Sequence, residues 1–274
     1  MAKSSPLRIG PRDLELLQAL DVLVVTPSQL LKLSTTFREP FSEETTVRRR
    51  LRKLRAAGLV QPFPFAVAGR GQAPQYWKLT QNGFRLLNGD DVALPKRRYF
   101  EAISPGRHGH TLALADVVVH LLSLAARDGF RIQNLSREGS VCIETNSFRL
   151  FPDFGLELVS PAGKQFNFLI ELDNGTERVR SKQAVESLER KIRGYDSHQS
   201  QFKAYSPERY VVLFVTTRSP VRVEHIRDVI RDVTRNHQRR AFLTAGIDSV
   251  LQASSLAEAV FHDLNGPVAL VTAV

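Results

Sequence analysis

Length, composition and charge narrow the classes of protein to which this chain can belong. Its 274 residues are enough for two ordinary domains, and its 42% hydrophobic and 24% charged content is typical of a globular protein. The single cysteine, Cys142, excludes an internal disulfide and any zinc cluster built on paired cysteines. No apolar stretch predicts a signal peptide or a membrane span, so we expect a cytoplasmic protein with no membrane partner.

The positive charge is concentrated in one part of the chain. Residues 1–100 carry 17 lysines and arginines against 8 acidic residues, a net charge of +9, whereas residues 101–274 carry a net charge of only +1. This asymmetry predicts a nucleic-acid-binding module joined to a module with another task. A merely basic, soluble surface is the alternative that charge alone leaves open.

The first part of the chain has the pattern of three helices. They are predicted over Pro11–Leu20, over Ser28–Leu33 and from about Ser42 to Gly58. The third is unusually basic, because six of the eight positions from 48 to 55 are lysine or arginine around the apolar stripe Val47, Leu51 and Leu54. So much positive charge on one helix favours contact with phosphate.

A hairpin is predicted after the third helix, with strands over 59–67 and 75–79 and a loop rich in glycine at 68–72. Three helices followed by such a hairpin are typical of a winged helix-turn-helix domain, and residues 51–60 resemble the end of its recognition helix. In that fold the third helix enters the major groove of double-stranded DNA and the wing touches backbone or minor groove. A winged helix used for protein contact is the alternative. The expected DNA contacts are Thr46, Arg49, Arg50, Lys53 and Arg70.

The rest of the chain alternates helices and strands. This α/β order predicts one sheet covered by helices, including a charged helix over 181–196. We therefore divide the chain into a DNA-binding domain over 8–89, a linker or docking segment over 90–109, an α/β domain over 110–240 and an extension over 241–274. The extension has the composition of a final helix and strand or of a dimer contact.

Acidic residues mark a second predicted hairpin. Its turn is centred on Ala162, so facing residues have numbers that add up to 324, and Asp153 then faces Glu171 on the same side of the sheet. Asp173 shares that side. Three converging carboxylates suit Mg²⁺ or Mn²⁺, with Asp153 and Glu171 as the expected ligands. A turn shifted by one residue would place these acids on opposite faces.

This hairpin resembles that of the PD-(D/E)XK nuclease superfamily, in which an Asp and a Glu hold the metal. The lysine of that motif normally follows the Glu by two residues, where this chain has Asp173. Some members take the lysine from the next helix, and the chain offers Lys182 and Lys191 there. Helical periodicity puts Lys191 on the inward face, so we expect it to serve as the catalytic lysine, with Asp153, Glu171 and Asp173 as the acids.

Taken as a whole, residues 8–235 resemble the replication-relaxation family of bacterial mobile-element proteins. The residues that carry the resemblance are 51–60, Pro152-Asp153, the phrase from Glu171 to Glu177, Arg190-Lys191 and Tyr195. The resemblance implies a winged helix followed by a nuclease-like domain, a role in plasmid or mobile-element replication, relaxation or transfer, and replication or mobilisation proteins or a second copy as partners. It leaves open whether the second domain is an active endonuclease or a non-catalytic accessory domain.

Overall fold

The computed structural model describes residues 8–66, 73–145, 147–175, 179, 187–203 and 205–271. The chain is a mixed α/β protein and divides into two compact units, Met1–Ser123 and Leu124–Val274. The boundary between the units falls within a single helix, His108–Arg127.

The first unit has the order of elements that the sequence predicts, with small shifts at their ends. Three helices precede an antiparallel hairpin in which Val60 pairs with Leu79, and two helices follow it. The elements are α1 (Pro11–Val22), α2 (Pro27–Leu33), α3 (Glu44–Ala56), β1 (Val60–Pro64), β2 (Gln75–Leu79), α4 (Gln81–Asn88) and α5 (His108–Arg127).

Local sequence explains where these elements begin and how they pack. The Thr26 hydroxyl accepts a hydrogen bond from the Gln29 N–H, and the Gln29 side chain accepts one from the Thr26 N–H, so a capping box starts α2. The predicted stripe of α3, Val47, Leu51 and Leu54, is completely buried. Gly83 in α4 allows a close approach, since an added Cβ would lie 2.0 Å from the Leu59 carbonyl oxygen.

The segment between α4 and α5 is fastened to the rest of the first unit. The Tyr99 hydroxyl donates to the Asp21 carboxylate at 2.7 Å, and the buried Lys78 ammonium donates to the carbonyl oxygens of Arg98 and Glu101. Burial lowers the pKa of Lys78 to about 8. These bonds favour the docking interpretation of this segment over a free linker.

The second unit is built on one seven-stranded mixed sheet. The strands lie in the order β11-β10-β9-β8-β7-β6-β3, and β7, β8 and β9 are parallel. Their ranges are β3 (Arg131–Ser136), β6 (Phe154–Val159), β7 (Gln165–Asp173), β8 (Val211–Thr216), β9 (Phe242–Gly246), β10 (Phe261–His262) and β11 (Pro267–Val268). A separate hairpin joins β4 (Ile143–Glu144) to β5 (Arg149–Leu150), and the helices are α6 (Leu188–Gln199), α7 (Pro220–Val233) and α8 (Ile247–Gln252).

Local sequence sets where two elements of the second unit begin. Residues 149–158 belong to two strands, β5 and β6, rather than to one, because Pro152 lacks the N–H that a continuous ladder requires. The charged helix begins at Leu188, where the Ser187 hydroxyl caps it by accepting the Arg190 N–H; positions 181–186 lie outside the described residues. Residues 241–274, the predicted extension, form α8 and the sheet strands β9, β10 and β11.

The long helix of the chain also bears on the membrane prediction. By length and composition the segment Pro105–Arg127 could cross a membrane, with a mean hydropathy of 1.5 over its most apolar window. However, 56% of that window is buried, as in the core helix of a globular protein. A cytoplasmic location therefore stays a prediction.

Candidate functional site

The exposed face of α3 carries two of the predicted DNA contacts. Arg49 and Lys53 are exposed and four residues apart, so they lie on the same side of the helix, opposite its buried stripe. With the half-buried Thr46 and with Arg12 of α1 they line an open groove of about 350 Å³. The structure thus brings Thr46, Arg49 and Lys53 together on one accessible surface.

Arg50, the next predicted DNA contact on α3, lines the same groove but is held by a residue of α1. Its guanidinium forms a bidentate ion pair with the buried Asp13 carboxylate of α1 and donates to the Arg8 carbonyl oxygen at 3.0 Å. This pair fastens α3 to the N-terminal end of α1. The predicted wing contact, Arg70, lies outside the described residues.

The predicted register of the acidic hairpin is confirmed along β6 and β7, where Phe154 pairs with Ile170. The ladder ends at this pair, and the Asp153 N–H donates to the Ile170 carbonyl oxygen at 3.1 Å, one position away from the predicted pairing with Glu171. Gly163 adopts a φ of 83° in the turn, and its N–H donates to the Ser160 carbonyl oxygen. Asp153 lies just beyond the paired strand, close enough to Glu171 to affect its pKa, and its Oδ2 accepts the Leu172 N–H at 2.8 Å.

Glu171 is the buried centre of a polar cluster with α6. Its side chain is 3% exposed, its Oε2 accepts a hydrogen bond from Lys191 Nζ at 3.0 Å, and its Oε1 accepts one from the Tyr195 hydroxyl. Burial raises the pKa of Glu171 to about 7, and Asp153 adds to this effect while Lys191 opposes it. Burial also raises the pKa of Tyr195 well above its ordinary value. The sequence-based choice of Lys191 as the inward lysine agrees with this position; Lys182 lies outside the described residues.

Asp173 is bound by a different partner. Arg222 of α7 donates to both of its carboxylate oxygens at 2.8 Å, and the Thr216 hydroxyl donates at 2.9 Å. Burial alone would raise the pKa of Asp173, but the bonds from Arg222, Thr216 and the Gly175 N–H outweigh it and lower the pKa. Asp173 is thus held in a salt bridge between the sheet and α7.

The carboxylate oxygens that would bind a metal already accept hydrogen bonds from other groups of the protein. Tyr195 and Lys191 bind both Glu171 oxygens, Arg222 binds both Asp173 oxygens, and the Leu172 N–H binds Asp153. Within the described parts of the chain, no three His, Cys, Asp or Glu side chains are placed to hold one ion. The three-carboxylate centre expected from the sequence does not fit this arrangement, and we assign no chemical step to a metal.

Three residues of these clusters escaped the prediction of site residues. Asp13, Thr216 and Arg222 lie far along the chain from the residues that they bind. A buried acid in an otherwise apolar position, such as Asp13 in α1, is the signal that a cationic partner exists, although it does not identify that partner. Tyr195 appeared only among the residues that carry the family resemblance.

Comparison with known proteins gives one match. The replication-relaxation family matches residues 14–208, which include the exposed face of α3, the acidic hairpin and all of α6. No match was found among the curated proteins or among the solved structures. Because the match extends over more than half of the sequence, the chain belongs to the replication-relaxation family.

Proposed function

We propose that this protein binds duplex DNA through a winged-helix domain formed by its first unit and acts in the replication or relaxation of a plasmid or mobile element. The observation that carries the proposal is the accessible pair Arg49 and Lys53 on α3, on a helix whose opposite face is completely buried. Family membership supports the biological setting. The second unit is, in this proposal, a PD-(D/E)XK-like domain whose role does not depend on cleavage.

The double variant Arg49→Ala/Lys53→Ala is expected to weaken duplex binding by about tenfold or more. Each lost phosphate contact should also reduce the slope of log K against log salt by about 0.9. Fluorescence anisotropy with a labelled duplex over a series of salt concentrations measures both quantities. The control Lys203→Ala/Arg231→Ala removes the same charge from exposed positions of the second unit. Equal weakening by the two double variants would contradict the proposed contact surface.

A Mg²⁺- or Mn²⁺-dependent endonuclease is the second candidate function. The observation that favours it is the placement of Asp153 beside Glu171, with Lys191 3.0 Å from Glu171. It requires that Lys191 and Tyr195 release the Glu171 oxygens to a metal.

Supercoiled plasmid distinguishes this candidate from the first. If the second unit is a nuclease, divalent metal should produce nicked or linear DNA, and Asp153→Ala should abolish cleavage while leaving the duplex affinity nearly intact. Plasmid that stays intact with either metal, at protein concentrations that retard it in a gel, would exclude the endonuclease. Loss of affinity together with cleavage in Asp153→Ala would contradict the assigned role of Asp153.

A further inference from the structure

Arg12 of α1 lines the same groove as the exposed cations of α3. Its guanidinium donates to the Glu39 carboxylate at 2.8 Å, and Glu39 lines the groove as well. The side chains of the two residues are 36% and 66% exposed. Asp13 is the other acid that lines this groove among the described residues, and it is buried against Arg50. Glu39 is therefore the acid that solvent reaches at the groove.

The Arg12 guanidinium is held in place by its neighbours. Its Cζ lies 5.0 Å from the ring centroid of Phe41, a cation–π distance, and Phe41 is buried. The Phe41 N–H donates to the buried Ser34 hydroxyl at 3.1 Å, which fixes the backbone that carries the ring. Next to Arg12 along α1, Asp13 binds Arg50 of α3, so the two helices are fastened together at this point. Arg12 is thus preorganised at the groove.

The chemistry of Arg12 suits a phosphate ligand. A guanidinium presents a planar set of N–H donors that matches the oxygens of a phosphate, and it keeps its charge at neutral pH. An exposed ion pair such as that of Arg12 with Glu39 is weak, because water screens both charges. A phosphate that enters the groove can therefore displace the Glu39 carboxylate from the guanidinium.

We propose that Arg12 binds a backbone phosphate of duplex DNA in exchange for Glu39, which extends the contact surface of α3 onto α1. The inference rests on the proposed binding of a duplex at this groove and adds a residue and a ligand group to it. In the free protein the Glu39 carboxylate occupies the guanidinium, and in the complex the released carboxylate repels the phosphates. Glu39 therefore lowers the affinity for any duplex, whatever its base sequence.

Removal of the Glu39 charge is expected to strengthen duplex binding. Glu39→Gln in the full-length protein should raise the affinity about three- to fivefold, since Arg12 no longer has to leave a carboxylate. The gain should be largest at low salt, where charges are screened least. Arg12→Ala should weaken binding about fivefold and reduce the slope of log K against log salt by about 0.9, and Arg12→Lys should restore most of that slope. Fluorescence anisotropy with a labelled duplex measures these changes.

Two comparisons show whether Glu39 acts through Arg12. Arg97 and Glu101 form another exposed ion pair of the first unit, and neither residue lines the groove. Arg97→Ala and Glu101→Gln therefore make the same changes of charge as controls, and each should change the affinity by less than about twofold. In the Arg12→Ala background, Glu39→Gln should lose most of its gain, because the carboxylate then has no guanidinium to release.

An equal gain from Glu39→Gln with and without Arg12 would overturn the inference, since the carboxylate would then act on the DNA directly. An Arg12→Ala protein whose affinity and salt slope match those of Arg97→Ala would overturn it as well. Either result leaves the proposed function standing if Arg49→Ala/Lys53→Ala still weakens duplex binding. A gain in affinity cannot come from a destabilised protein, so Glu39→Gln tests the inference even if Arg12→Ala folds poorly, and no gain would overturn it.

Discussion

Arg222→Ala is expected to lower the free energy of unfolding by about 3–5 kcal/mol, one of the largest effects of any single substitution in the second unit. The reason is that Asp173 stays buried, with 1% of its side chain exposed, after losing the group that binds both of its oxygens. Thr216 and the Gly175 N–H still donate to Asp173 but carry no charge to balance it. Urea unfolding followed by circular dichroism measures the change.

Two further variants show whether this loss comes from the buried charge. The double variant Asp173→Leu/Arg222→Met removes both charges and should recover much of the stability, since an apolar pair leaves no ion unpaired. Arg231→Ala breaks an exposed pair with Asp228 and should cost less than about 1 kcal/mol. If Arg222→Ala were as mild as Arg231→Ala, the Asp173 salt bridge would not contribute to holding α7 on the sheet.

Lys191→Ala is expected to destabilise the second unit in a manner that depends on pH. With Lys191 present the pKa of Glu171 is about 7, already raised by burial, and removal of the ammonium group raises it further. The folded state then holds a proton that the unfolded state releases. The free energy of unfolding therefore falls as pH rises from the ordinary pKa of a glutamate to the raised pKa of Glu171 in the folded protein. We expect a loss of about 3–5 kcal/mol near pH 8 and a much smaller loss near pH 5, where Glu171 is neutral.

Urea unfolding at the two pH values measures this difference. Arg193→Ala, which breaks an exposed pair with Glu189 on the same helix, should cost less than about 1 kcal/mol at both. A loss in Lys191→Ala that is equal at both pH values would show that lost packing, rather than the unpaired Glu171 carboxylate, causes the destabilisation.

Both predictions concern the carboxylates Asp173 and Glu171, which the sequence assigned to a catalytic centre. The structure shows instead that each carboxylate of β7 has a cationic partner on a helix, Lys191 on α6 for Glu171 and Arg222 on α7 for Asp173. Such pairs connect the sheet with the two helices that cover it. Plasmid cleavage is the measurement that decides between the accessory role and the endonuclease proposed above.

Local sequence was sufficient for the features that depend on neighbouring residues. The turn centred on Ala162 predicted the register in which Phe154 pairs with Ile170, because strand periodicity propagates the register from the turn. The ladder ends one position before the predicted pair of Asp153 and Glu171. Helical periodicity likewise predicted the buried stripe of α3 and the inward position of Lys191. The excess of basic residues in the first part of the chain predicted the exposed cations of α3.

Tertiary structure alone decided which charged groups meet. Arg50 and Arg49 are adjacent on the same basic helix, yet Arg50 binds Asp13, 37 positions earlier, while Arg49 is exposed. Arg222 reaches Asp173 across 49 positions, which places an expected catalytic acid in a salt bridge. Periodicity fixes the face of a helix or strand on which a side chain lies. A buried charge, however, takes its partner from the element that packs against that face. Local spacing in the sequence does not reveal which distant element this is.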